Sequence, residues 1–176
     1  MMKKSLATAV ALLISTSALI STSAMAANSV QKTVDAPAQN INQVLEMTDT
    51  QTRIQQLSYM AQDQNQSVEN RTGALQELAS YPSQNALVAV ARGLKDQNPE
   101  VREASVIGSS PYQLEHRWAL VSPLLSDTDP MVRHSATSNL VRDYNTLDKE
   151  QKAQIEQPVA ELITFLESQE SEKFQL

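Results

Sequence analysis

The chain has no cysteine. Disulfides, thiolate nucleophiles and cysteine-ligated zinc are therefore excluded, and packing alone must hold the fold. Glycine is almost as scarce. Gly73, Gly93 and Gly108 stand far apart, so no glycine-rich phosphate loop is available. Aromatic residues make up only 4%. With alanine, leucine, glutamine and serine abundant, that favours helices over strands. The two histidines, His116 and His134, lack the spacing of three or four residues that a helical metal site uses. No serine sits in a Gly-x-Ser-x-Gly elbow. The "DTDP" stretch from Asp127 to Pro130 lacks the glycine and the closing glutamate of a calcium loop. The expectation is no catalytic residues, no metal and no cofactor.

Long apolar runs are also missing, apart from the first residues. Lys3 and Lys4 precede an apolar stretch from Leu6 to Ile20, and Ala24-Met25-Ala26 follows with small residues at the two positions a signal peptidase inspects. Residues 1–26 read as a secretory signal peptide. The stretch is too short and too rich in hydroxyls for a membrane span of about 20 apolar residues. Cleavage after Ala26 leaves 150 of the 176 residues, about one domain. The presequence carries two lysines and no acid, so its loss takes the net charge from −6 to −8. Such an acidic chain is repelled by nucleic acid and by anionic membrane surfaces. The expected setting is the periplasm or the exterior, with no membrane insertion once the presequence is gone.

What is present is a repeat. Leu94 to Ser105 reads "LKDQNPEVREAS" and Leu125 to Ala136 reads "LSDTDPMVRHSA", with every shared residue displaced by 31 positions. An apolar helical run precedes each copy. Leu87, Val90, Ala91 and Leu94 form one stripe; Leu114, Trp118, Val121 and Leu125 form the other. Pro99 and Pro130 then sit where a first-turn proline suits a helix start, with Asn98 and Asp129 before them as N-caps. The helices that follow place Val101, Ala104 and Ile107, then Val132, Ala136 and Leu140, on their inner sides. An earlier copy is degenerate. It keeps Arg71 in line with Arg102 and Arg133, and Ala74 in line with Ser105 and Ala136, but it lacks the proline. Its two helices should face inward with Ile54, Leu57 and Ala61, then with Ala74, Leu75 and Leu78. Stacking such helix pairs at a fixed period buries faces that no pair can bury alone.

The expected fold is all-α: a short α-solenoid of stacked antiparallel helix pairs spanning residues 38–170. A loose segment, 27–37, precedes it and a tail, 171–176, follows. A short first helix should turn Ile41, Val44 and Leu45 inward. A last helix beginning at Pro158 should cap the stack with Val159, Leu162, Ile163 and Leu166.

The repeated unit resembles a HEAT repeat of the armadillo-type superhelix, and in particular the short variety related to phycobilisome lyase subunits. The matching residues are Leu94, Asp96, Pro99, Val101, Arg102 and Ala104, then Leu125, Asp127, Pro130, Val132, Arg133 and Ser135. The resemblance implies a ladder of Asp and Arg between adjacent units, in which Asp96 and Asp127 cap helix ends or pair with Arg102 and Arg133. It also implies that the second helix of each unit lines the face where partners sit. On that basis Glu103, His134 and Arg142 are the candidate partner-binding residues.

The functional expectation is a non-enzymatic module that engages another envelope protein or a peptide. Two further readings are a lyase-like or accessory protein handling a prosthetic group, and an envelope chaperone or holdase. The absence of cysteine and the acidic balance speak against an attached anionic chromophore. A polar, Gln- and Ser-rich surface speaks against a holdase, which exposes apolar patches.

Overall fold

Each helix in the stack starts on a polar side chain that the sequence places just ahead of an apolar run. In a computed structural model of the chain, residues 40–173 are described, with side chains as far as residue 170. The helices are α1 (Ile41–Leu45), α2 (Thr50–Gln62), α3 (Val68–Leu78), α4 (Gln84–Gly93), α5 (Pro99–Gly108), α6 (Leu114–Val121), α7 (Pro130–Val141) and α8 (Lys149–Lys173). Short 3₁₀ turns at Ser122–Ser126 and Tyr144–Thr146 follow α6 and α7. There is no strand among the described residues.

The starts of α3, α5 and α7 show how strict the repeat is. Their N-caps are Ser67, Asn98 and Asp129, and each side chain accepts a hydrogen bond from a first-turn amide. The three positions are 31 apart. The Asn98 and Asp129 backbones agree closely, with φ −83° and ψ 125° in one and φ −88° and ψ 128° in the other. Pro99 and Pro130 follow in equivalent first-turn settings. Val68 stands where the first copy lacks the proline. A cap is enough to start a helix, because it satisfies one of the orphaned first-turn donors.

Pairs α2/α3, α4/α5 and α6/α7 stack so that α3, α5 and α7 form one layer, α5 packing against both α3 and α7. In the other layer α2 packs along α4, but α4 and α6 do not pack along each other. The layer of α3, α5 and α7 is called inner below, and that of α2, α4 and α6 outer. The core runs through the middle. Leu57, Leu75, Leu78, Val90, Val101, Val121, Val132 and Leu140 are all fully buried. Each such side chain contributes about 1.5–3 kcal/mol by leaving water.

Both ends depart from expectation. In α1, Val44 is buried and Ile41 partly so, but Leu45 is 39% exposed, because five residues make barely more than one turn and present one side only. The last helix does not begin at Pro158. It begins at Lys149, where the Asp148 carboxylate accepts from the Gln151 amide and the Gln151 side chain accepts from the Asp148 amide. That reciprocal cap starts the helix nine residues early, and Pro158 lies inside it. Its anchors are Ile155, fully buried, and Val159, packed against the core. Ile163 and Leu166 are 50% and 52% exposed, so the stripe predicted to face inward is divided. The presequence and the segment before residue 40 lie outside the described residues, as do residues 174–176 of the expected tail. No helix among the described residues is long and apolar enough to cross a membrane.

Candidate functional site

Three arginines at the 31-residue period organise the stack. Arg71 Nη1 donates to Asp96 of the next unit at 2.5 Å. Arg102 presents Nε and Nη2 as a fork to both oxygens of Asp127, at 2.8 Å each. Arg133 forks onto Glu161 of α8. Each arginine thus reaches forward one unit. Asp96 pairs with Arg71 rather than with Arg102, and Arg133 takes Glu161 because Pro158 stands at the position that the aspartate period reaches. Arg102 and Arg133 also donate backward, to the backbone carbonyls of Asp96 and Asp127. Neither aspartate caps a helix directly. Their Oδ1 atoms accept from the Asn98 and Asp129 amides, which shapes the turn so that the next residue can cap. Burial disfavours the charge of Asp96, yet the Asn98 amide, Gln64 and Arg71 outweigh it and hold the carboxyl below its ordinary value. Burial likewise opposes Asp127, and Arg102 with the Asp129 amide prevails. These four residues are structural joints.

The three candidate partner-binding residues do not come together. His134 is 7% exposed and its ring stacks on Phe165 with centroids 4.4 Å apart. Its Nε2 lies 3.5 Å from Glu161 Oε1. His134 therefore belongs to the α7–α8 contact. The HEAT resemblance placed it on the partner-facing side of α7; Phe165 and Glu161 of α8 lie against it instead. Glu103 and Arg142 remain on the inner layer, at opposite ends.

Between α5 and α7 runs a groove of about 210 Å³, lined by Val106, Ile107, Ser110, Ser135, Ser138, Asn139 and Arg142, with Glu103 outside its lining. Its origin is one side chain. Asn139 is 6% exposed, and its Nδ2 donates to the Val106 carbonyl at 3.0 Å. That amide fills the space between the two helices and keeps them apart. Behind it sits Arg117, 4% exposed. Arg117 Nη1 donates to the Asn139 carbonyl at 2.7 Å and to its Oδ1 at 3.0 Å, Nε donates to the Tyr112 carbonyl at 2.9 Å, and Nη2 meets Asp143. A buried guanidinium with this many acceptors is a rigid support. Sequence reasoning missed it, because neither Arg117 nor Asn139 belongs to the repeated motif.

Arg142 closes one end of the groove. It donates from Nε to the Asn139 carbonyl at 3.1 Å and from Nη2 to the Ser110 carbonyl at 3.4 Å. Glu103 stands one turn before Ile107 on the same face of α5. Burial, then the charges of Asp129 and Glu100, push its carboxyl above the ordinary value. Met131, 45% exposed, stands one turn before Ser135 on α7. On the outer layer, where α4 and α6 part, lies a cleft of about 340 Å³ lined by Leu87, Val88, Ala91, His116, Ala119 and Leu120, with Gln84 at its edge. Among the described residues no three histidine or acidic side chains converge to hold a metal ion. Comparison with protein families, curated proteins and solved structures found no match for this chain.

Proposed function

We propose that this chain is an exported HEAT-type repeat protein that works as a non-enzymatic adaptor, docking a peptide or a small part of another envelope protein. The observation that carries this reading is the inner-layer groove, built on the buried Arg117–Asn139 support and bordered by Arg142, with Glu103 one turn before Ile107 on α5. Held-open grooves with oriented polar ends and an apolar stretch between them suit peptide recognition. The Lys3-Lys4 start, the apolar run and the Ala24-Met25-Ala26 site support export to the periplasm. The period of 31, with its prolines, caps and arginines, supports the HEAT resemblance.

The test is in-cell crosslinking followed by capture of the tagged mature protein. We expect one envelope protein to be recovered in stoichiometric amount by the natural chain. The double variant Glu103→Arg/Arg142→Glu should lose it while keeping the natural far-UV signature. Equal recovery with both chains would sink the reading.

A further inference from the structure

We infer that the groove between α5 and α7 recognises an acidic side chain of the partner, its carboxylate held by Arg142 and the hydroxyls of Ser135 and Ser138, with a neighbouring aliphatic side chain against Ile107. This deepens the adaptor reading and rests on it.

The charge of the lining sets the charge of the ligand. Arg142 is the one ionised side chain among the residues that line the groove, and no carboxylate is among them. It forms no ion pair among the described residues, and its neighbour Asp143 is taken by Arg117. Its Nε is spent on the Asn139 carbonyl and its Nη2 on the Ser110 carbonyl, while Nη1 has no partner among the described residues. A guanidinium is a planar fork of donors whose geometric complement is a carboxylate. The chain as a whole carries a net charge of −8 once the presequence is gone. A groove whose one ionised group is a cation is therefore set apart from the acidic surface around it.

The hydroxyls lie on the same side. Ser135, Ser138 and Arg142 follow one another at steps of three and four along α7 and its C-cap, which is one helix face. Neither serine hydroxyl has a hydrogen-bond partner among the described residues. The backbone groups beside Arg142 are carbonyls, those of Asn139 and Ser110. Capture of a chain's terminal carboxylate uses a nest of backbone N–H groups, which carbonyls cannot supply. The carboxylate is therefore that of an Asp or Glu side chain. Ile107, 39% exposed, is the apolar wall, and about 210 Å³ leaves room for one medium aliphatic side chain beside it.

None of this donor set belongs to the repeat. Thirty-one residues before Ser135, Ser138 and Arg142 stand Ala104, Ile107 and Pro111. The α3/α5 joint packs without them, and the caps and the arginine ladder do not use them. Arg142 also satisfies a last-turn carbonyl of α7, as a basic residue past a helix end commonly does. That role occupies Nε and leaves Nη1 and the two serines without a task in the fold.

The probe is N-acetyl-Leu-Glu-amide, titrated into the mature protein and followed by amide shifts in two-dimensional NMR. Its controls are N-acetyl-Leu-Gln-amide, which is neutral, and N-acetyl-Leu-Gln with a free C-terminus. The acidic probe should bind about fivefold more tightly than the neutral one, as one solvent-facing ion pair allows, and the preference should shrink as salt is raised. Shifts should fall on Ile107, Ser110, Ser135 and Ser138 rather than on Leu87 and Leu120 of the outer cleft. Arg142→Gln should abolish the preference. Ser138→Asp should abolish it with Arg142 still in place, because the introduced carboxylate stands four residues before the guanidinium and occupies it. Ser138 is exposed, so this second variant tests the site even if Arg142→Gln loosens the end of α7. No binding of the acidic probe, equal binding of the two amidated probes, a preference that survives both variants, tighter binding of the free-terminus probe, or shifts confined to the outer cleft overturns the inference. If the Glu103→Arg/Arg142→Glu protein loses its partner in cells while the probes show no preference, the adaptor reading stands and the carboxylate assignment falls. Unchanged partner recovery removes the adaptor reading itself.

Discussion

The inner layer contains the same joint made twice, in two ways. At the α3/α5 joint, Gly108 lies so close to α3 that a Cβ on it would sit 2.7 Å from the Leu75 carbonyl oxygen and 3.0 Å from Val90 Cγ2. Thirty-one residues on, at the α5/α7 joint, Asn139 occupies the glycine's position and Val106 occupies that of Leu75. There a side-chain amide reaches the carbonyl that the glycine merely touches. One joint closes backbone on backbone; the other is propped by a hydrogen-bonded spacer, and the groove appears at the propped one. A repeat protein thus makes a site by changing a single register position, leaving the caps and the arginine ladder untouched.

The largest effects should come from exchanging the two solutions. Asn139→Leu leaves the Val106 carbonyl without this partner and takes one acceptor from buried Arg117, for a loss of about 3 kcal/mol in urea unfolding. The groove lining should be disturbed with it. If the loss stays below about 1 kcal/mol, the prop is not structural and the comparison fails. Gly108→Ala runs the exchange the other way. Overpacking against a carbonyl, which cannot give, should cost about 2 kcal/mol even after the small helix-propensity gain of alanine. Gly73→Ala is the control: its Cβ meets only Ile41, with the nearest atom at 3.3 Å, and the variant should be close to neutral.

Much of this architecture was legible because its signals are local. A cap three residues ahead of an apolar stripe, a first-turn proline and a period of 31 each concern residues near in sequence, and α4, α5 and α7 follow from them. Arg102 and Arg133 were legible as joints, but their partners were not, since a side chain of that length reaches the next unit as easily as its own. Val68 in place of a proline hid how regular the first copy is; the series Ser67, Asn98 and Asp129 was the overlooked signal. Arg117 and Asn139 gave no signal, because a prop is defined by the space between two helices. His134 was misplaced for a related reason. Whether it faces water depends on Phe165 and Glu161 of α8, whose docking on α7 no local pattern shows.

The ladder sharpens the comparison at intermediate size. Arg71–Asp96 and Arg102–Asp127 have side chains no more than 14% exposed, whereas Arg133 and Glu161 are 25% and 38% exposed. Asp96→Asn and Asp127→Asn should each cost about 2 kcal/mol, since each leaves a largely buried guanidinium short of its charge partner. Glu161→Gln should cost distinctly less, because solvent screens an open pair. The order is checked by thermal melting of the three variants; a loss at Glu161 equal to the others would show the α7–α8 joint to be as closed as the inner two. Both aspartates are held below their ordinary value of 3.8, so their contribution is complete above it and drains away as pH falls through the lower folded values.

Glu103 carries the opposite sign and the smallest stability effect. Burial, with Asp129 and Glu100 beside it, raises its carboxyl above the ordinary 4.5. A raised acid costs the folded state nothing while protonated, and begins to cost as pH climbs past the unfolded value. Glu103→Gln should therefore melt with the natural protein at about pH 4 and slightly above it at about pH 7. A melting temperature that rises while partner recovery in the capture experiment falls separates a residue kept for recognition from one kept for the fold. A melting temperature that falls at neutral pH would place Glu103 among the structural residues.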